Sequence, residues 1–146
     1  MDHTYLGSTG LKVSRLALGC MSFGTGGQQW MLDDEAAAPL FRQAVELGIT
    51  FWDTANVYSA GTSEEITGRA IRAERDAWVL ATKVANPTGP GVNDRGLSRV
   101  HVMKAAEDSL RRLGTDFIDI YYLHKEDHDT PLAETVRAIA DLVRAG

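Results

Sequence analysis

Short apolar runs alternate with longer amphipathic stretches along the chain, and this alternation restricts the fold more than any other feature of the sequence. Leu16-Ala17-Leu18-Gly19, Ile49-Thr50-Phe51-Trp52, Trp78-Val79-Leu80-Ala81-Thr82 and Phe117 to Leu123 read as buried strands. A helix from about Asp34 to Leu47 places Ala37, Leu40, Phe41, Ala44 and Val45 on one face and stops at Gly48. Thr62-Ser63-Glu64-Glu65 has the form of a capping box and opens a second helix to about Arg72. Ser98 caps a third, which displays Val100, Met103, Ala106, Leu110 and Leu113 before Gly114. Thr130-Pro131 opens a fourth with Leu132, Val136, Ile139 and Leu142; proline suits a first helical turn. Ahead of these units, Thr4-Tyr5-Leu6 and Leu11-Lys12-Val13 flank Gly7-Ser8-Thr9-Gly10 as a small hairpin.

Strands buried on both faces, each followed by a helix, imply a parallel sheet with right-handed crossovers. An open four-stranded sheet satisfies that pattern. Half of a (β/α)8 barrel of the TIM type satisfies it better, because a polar residue recurs at the same end of successive strands: Asp53, Lys83 and His124. The expected fold is therefore α/β, a base hairpin plus about four β-α units, with residues 1–146 as one domain and the rest of the barrel absent. A composition of 44% hydrophobic and 24% charged residues suits an ordered domain. The net charge of −5 argues against a nucleic-acid surface. No apolar run is long enough to span a bilayer, and MDHTYLGSTG lacks the pattern of a signal peptide. Cys20, the single cysteine, cannot form an internal disulfide, so the expected setting is cytoplasmic.

Parallel strands bring Asp53, Lys83 and His124 to one rim, and Tyr58 lies in the loop after Asp53. An Asp53–Lys83 ion pair beside Tyr58 would stabilise the phenolate and lower the phenol's pKa from its usual value of about 10. A tyrosine tuned this way is a general acid for a carbonyl oxygen, and His124 can donate a hydrogen bond to the same oxygen. His3, His101, His124 and His128 lack metal-ligand spacing, so no metal is expected; His101 falls on a helix flank. Lys83 is the one evident covalent nucleophile, which leaves a Schiff-base aldolase as an alternative chemistry.

The chain resembles the aldo-keto reductase family. The resemblance is carried by Tyr5-Leu6-Gly7 to Gly10-Leu11-Lys12-Val13-Ser14, Leu18-Gly19-Cys20-Met21, Phe51-Trp52-Asp53-Thr54-Ala55-Asn56-Val57-Tyr58, Gly61-Thr62-Ser63-Glu64-Glu65, Ala81-Thr82-Lys83, Arg95-Gly96-Leu97-Ser98-Arg99, Ser109 to Asp116, and Asp119-Ile120-Tyr121-Tyr122-Leu123-His124. It implies a barrel closed at its base by the hairpin and a catalytic tetrad of Asp53, Tyr58, Lys83 and His124. It also implies NADPH bound without a Rossmann domain; no GxGxxG follows a strand, and Gly24-Thr25-Gly26-Gly27 lacks that context. Gly19, Met21 and Asp53 are the expected cofactor contacts. Trp30, Tyr58, Asn86 and His124 are the expected contacts to a small carbonyl substrate, with the Gly-, Pro- and Asn-rich loop from Val84 to Leu97 shaping the pocket.

Family members are about twice as long, by the eight-strand rule of the barrel. The missing half would carry most contacts to the cofactor phosphates, so residues 1–146 are expected to be a piece of a longer chain and inactive alone. An isolated half exposes unpaired strand edges and invites self-association. The same resemblance extends to potassium-channel β subunits, which bind nicotinamide as regulatory modules. It does so through Gly96-Leu97-Ser98-Arg99 and the stretch from Asp129 to Val136. Those subunits typically lack histidine at the position of His124, so its presence points to a reductase.

Overall fold

The computed structural model describes residues 1–26 and 28–146. Gly27, the last residue of the glycine run noted above, lies outside them. The chain opens with a hairpin, β1 (His3–Tyr5) against β2 (Lys12–Ser14), antiparallel with Thr4 opposite Val13. Four parallel strands follow in sequence order: β3 (Ala17–Gly19), β4 (Phe51–Asp53), β5 (Val79–Val84) and β6 (Ile120–Leu123). Helices α1 (Asp34–Glu46), α2 (Thr62–Ile71) and α3 (Arg99–Leu113) connect them, and α4 (Leu132–Ala145) follows β6. This is the expected half of a β/α barrel.

The hairpin sits at the base of the sheet. The buried Ser14 hydroxyl donates to Leu16 O at 2.6 Å and accepts from Thr50 N and Phe51 N at 3.0 and 3.2 Å, which fixes the start of β4. Register places Leu18, Trp52 and Leu80 abreast on the face covered by the helices. There Phe23, Phe41, Trp52 and Trp78 stack in a row with ring centroids 4.6 to 4.9 Å apart. The opposite face carries Ala17, Gly19, Phe51, Asp53, Lys83 and Tyr122 and is open. Burial on both faces was expected; among the described residues it holds for β5, whose Val79, Leu80, Ala81 and Thr82 are all buried, while β3, β4 and β6 leave their other face open.

Several local expectations need correction. The Thr62 hydroxyl does not cap α2. The N-cap is Gly61, at φ 96°, and Thr62 is the first helical residue. Its Oγ1 instead donates to Ser59 O at 2.8 Å and accepts from Thr25 N at 3.2 Å, tying the loop after β3 to the turn that carries Tyr58. The strand expected from Phe117 starts only at Ile120, because the Asp119 carboxylate takes the Leu80 N–H at 2.9 Å and Phe117 lies under the Arg75 guanidinium.

The helix faces also shift. Leu40, Val45 and Val100 are exposed, while Ala37, Phe41 and Ala44 of α1 and Ala106 and Leu113 of α3 are buried as expected; α3 also buries His101, Val102, Ala105 and Ser109. On α3 the reason is close helix packing: a Cβ on Gly68 would lie 2.2 Å from Leu113 O, so α2 and α3 meet along small residues there. His101, expected on a flank, is consequently inside. On α4, Leu132 and Val136 are exposed while Thr135 and Ala138 are buried, since β6 is an edge strand and offers the helix one neighbour only.

Candidate active site

Asp53 ends β4, Lys83 lies near the end of β5 and His124 immediately follows β6, so parallel pairing alone brings three of the candidate groups to one rim. The loop after β4 keeps pairing with β5: Thr54 N donates to Ala81 O at 2.9 Å and Asn56 N to Lys83 O at 3.3 Å. This carries the chain past Lys83 before it doubles back at Tyr58. The return is strained. Ser59 and Ala60 both lie in the left-handed region, at φ 49° and 53°, which costs a non-glycine residue roughly 1–2 kcal/mol each. Gly24 permits it, since a Cβ there would collide with the Ser59 side chain at 2.2 Å. Beneath the rim, Ser63 Oγ donates to Cys20 O at 2.7 Å. Ser63 therefore has no proton left for Thr54 Oγ1, 2.9 Å away, and the threonine is the donor in that pair. Burial pushes the Cys20 thiol up to about 12, which makes it a packing group rather than a nucleophile.

The Lys83 ammonium is the hub. Its Nζ donates to Asp53 Oδ2 at 2.8 Å, to the Thr54 carbonyl at 2.7 Å and to Tyr58 Oη at 3.1 Å. Three donors meet three acceptors, so the ammonium is saturated. Because the lysine is the donor toward Tyr58, the phenol's own proton is not used in that bond. The His124 ring meets the Tyr58 ring edge-on at 5.8 Å and 83°. His124 Nδ1 lies 3.1 Å from Asn86 Nδ2. Burial pushes the His124 imidazole below the ordinary histidine value; the Lys83 charge acts the same way and Asp53 opposes it. The cleft in front of these groups has a volume of about 500 Å³ and is lined by Gly19, Asp53, Lys83, Tyr122 and His124 among others. A comparable hollow of about 450 Å³ lies between α1 and α2 on the far side of the sheet, around Phe41 and Ile66, away from the rim groups.

The structure thus brings together Asp53, Tyr58, Lys83, His124 and Asn86, with Gly19 beside them. Met21 and Trp30 sit on the loop after β3, 52% and 51% exposed, and do not line the cleft. Two site features escaped the sequence reading. The Thr54 carbonyl is a backbone group with no residue signature. Asp127 was not singled out, yet its carboxylate accepts from Leu97 N at 2.6 Å and Thr130 Oγ1 at 2.7 Å, joining the loops after β5 and β6. The Leu97 N–H, with Thr130 adding to it, holds that carboxyl below the usual carboxylate range.

A parallel strand-helix arc with a polar cluster at the carboxyl ends of its strands is the arrangement a β/α barrel presents at its catalytic face. The sequence matches the model of the aldo/keto reductase family over residues 15–146, and the chain belongs to that family. It is similar to versiconal hemiacetal acetate reductase of Aspergillus parasiticus, 39% identical over all of this chain and 48% of that protein. A probable voltage-gated potassium channel subunit beta of Arabidopsis thaliana is 41% identical over all of this chain and 44% of its own length. Among solved structures, the holo form of an aldo-keto reductase from Bacillus halodurans superposes with a TM-score of 0.87 at 38% identity, covering all of this chain and 47% of that one. The chain therefore spans about half the length of the relatives it matches.

Proposed function

We propose that residues 1–146 are the N-terminal half of a cytoplasmic, NADPH-dependent oxidoreductase that reduces a small aldehyde or ketone to an alcohol, with Tyr58 as the proton donor. The observation that carries this reading is the direction of the bonds at Lys83. The ammonium donates to the phenol oxygen, so the phenol hydrogen is free for a carbonyl oxygen, and the phenolate left behind stays beside a cation. Asp53 and Thr54 O hold the ammonium in place. His124, whose ring meets Tyr58 edge-on, donates to the same carbonyl oxygen and stabilises its developing charge.

When bound, the nicotinamide supplies the hydride. The residues present fit such a group: Asp53 Oδ1 is buried with no hydrogen-bond partner among the described residues, and a Cβ on Gly19 would meet nothing within 4 Å. An unsatisfied acceptor thus stands beside an unobstructed strand end. Gly19 and Asp53 from the cleft wall, and Met21 from the exposed loop after β3, are the residues of this chain that would hold the cofactor; Trp30 on the same loop is the additional substrate contact, while Asn86 acts on His124. The outer edges of β3 and β6 are where the rest of the barrel, or a second copy, would pair.

The test is oxidation of reduced nicotinamide by the full chain with a panel of aromatic and aliphatic aldehydes. The proposal predicts turnover that needs the carbonyl, is faster with NADPH than with NADH, and leaves no borohydride-trapped adduct on Lys83. A second reading, a nicotinamide-binding regulatory subunit, is favoured by the likeness to the Arabidopsis channel subunit. Tight cofactor binding with negligible turnover and co-purification with a channel would replace the first reading by the second.

A further inference from the structure

We infer that Asn86 is a positioning residue whose side-chain amide holds His124 as the neutral tautomer with its proton on Nε2. Asn86 Nδ2 lies 3.1 Å from His124 Nδ1. An amide nitrogen only donates, so Nδ1 is the acceptor and carries no hydrogen, and the ring's one N–H is at Nε2. The two residues are brought together by the sheet. Val84 and Leu123 are register partners, His124 N donates to Val84 O at 2.8 Å, and both side chains leave the strands just beyond that pair.

Between Val84 and Asn86, Ala85 adopts φ 143°, a conformation that favours glycine. It is pinned there by Gly96 N, which donates to Ala85 O at 2.8 Å. Strain of this kind persists where the surroundings fix the chain, and here it sets the exit of the Asn86 side chain.

The charges facing the ring agree with a neutral imidazole. Lys83 from β5 and Lys125 from the loop after β6 both disfavour a second proton, Asp53 from β4 favours one, and Tyr58 presents its ring. An imidazolium would also have to point an Nδ1–H at the amide N–H groups. The functional meaning rests on the proposed carbonyl reduction. A neutral Nε2–H orients and polarises a carbonyl oxygen while leaving proton transfer to Tyr58, whereas the opposite tautomer has no proton on Nε2 to donate.

The full chain labelled with 15N in the histidine rings gives the tautomer directly by NMR. At pH 7 His124 is expected as the neutral Nε2–H form. Asn86→Asp, nearly the same shape but an acceptor with a negative charge, is expected to move the proton to Nδ1. It should also raise the imidazole titration by about one pH unit or more. In the same variant kcat for carbonyl reduction should fall roughly tenfold or more with little change in KM. Asn86→Ala, which removes the amide, is expected to show a mixture of tautomers.

An Nδ1–H ring in the wild type, or an unchanged tautomer and titration in both variants, would overturn the inference. The spectrum does not depend on turnover. A protein with the expected tautomer but no reductase activity would remove the proposed function and leave the role of Asn86 standing.

Discussion

Replacing Arg112 by methionine should be among the most damaging single changes outside the rim. Glu64 on α2 is fully buried, and its carboxylate has two partners: Arg112 Nε on α3 at 2.6 Å and Thr82 Oγ1 on β5 at 2.6 Å. Methionine keeps much of the arginine's volume and removes the charge, so the carboxylate is left inside with one hydrogen bond. Breaking a buried pair from one side costs about 3–5 kcal/mol, because the remaining ion cannot be rehydrated. For a chain of this size that is a melting-point drop of roughly 6–20 °C.

Urea denaturation followed by tryptophan fluorescence is the assay, since Trp52 is buried and stacked on Phe41 and near Trp78. The double variant Glu64→Gln/Arg112→Met keeps an acceptor for Thr82 and no longer buries a charge. It should recover at least about half of the loss. An Arg112→Met protein within about 1 kcal/mol of wild type, or a double variant less stable than the single, would refute the reasoning. The first result would mean the pair is effectively solvated; the second, that lost packing rather than stranded charge sets the cost.

Other expectations follow from the same contacts. Gly68→Ala should destabilise by about 1–3 kcal/mol in the same assay, because its Cβ would fall 2.2 Å from Leu113 O and force α2 off α3. Ala60→Gly should leave stability unchanged or raise it by up to about 1 kcal/mol, since it relieves a left-handed backbone at φ 53° at an exposed position. Burial pushes both His101 and His124 below the ordinary histidine value of 6.5, so below that pH the unfolded chain binds protons that the folded chain refuses. Stability should therefore fall as pH drops from 6.5 through the depressed folded values, and be insensitive to these groups above it. Melts at pH 7 and pH 5 should show a smaller acid loss in His101→Gln than in the wild type.

The strand ends were legible because parallel pairing turns a linear recurrence, polar residue after apolar run, into a spatial cluster. Asp53, Lys83 and His124 needed nothing else, and the hairpin and the Ser98 and Gly114 caps followed from local chemistry. What stayed hidden depends on non-local packing or on backbone. Thr62-Ser63-Glu64-Glu65 reads as a solvent-side capping box, yet Glu64 is drawn inside by Arg112, 48 residues away. The buried face of α3 is chosen by the closeness of Gly68 to Leu113, which no single-helix periodicity records. The left-handed pair Ser59 and Ala60 has no glycine to announce it; the glycine that makes room is Gly24, on another loop. Asn86 and His124 were both read as substrate contacts, but the bond between them depends on the register of β5 against β6.

Tyr58, held by the Lys83–Asp53 pair, is the proposed proton donor to the carbonyl oxygen. The most direct measurement is kcat for NADPH-dependent aldehyde reduction by wild-type and Tyr58→Phe protein, with cofactor affinity measured alongside by quenching of tryptophan fluorescence. Loss of the acid should lower kcat by about 10²–10⁴-fold and leave cofactor affinity nearly unchanged. Near-normal reduction by Tyr58→Phe would contradict the account.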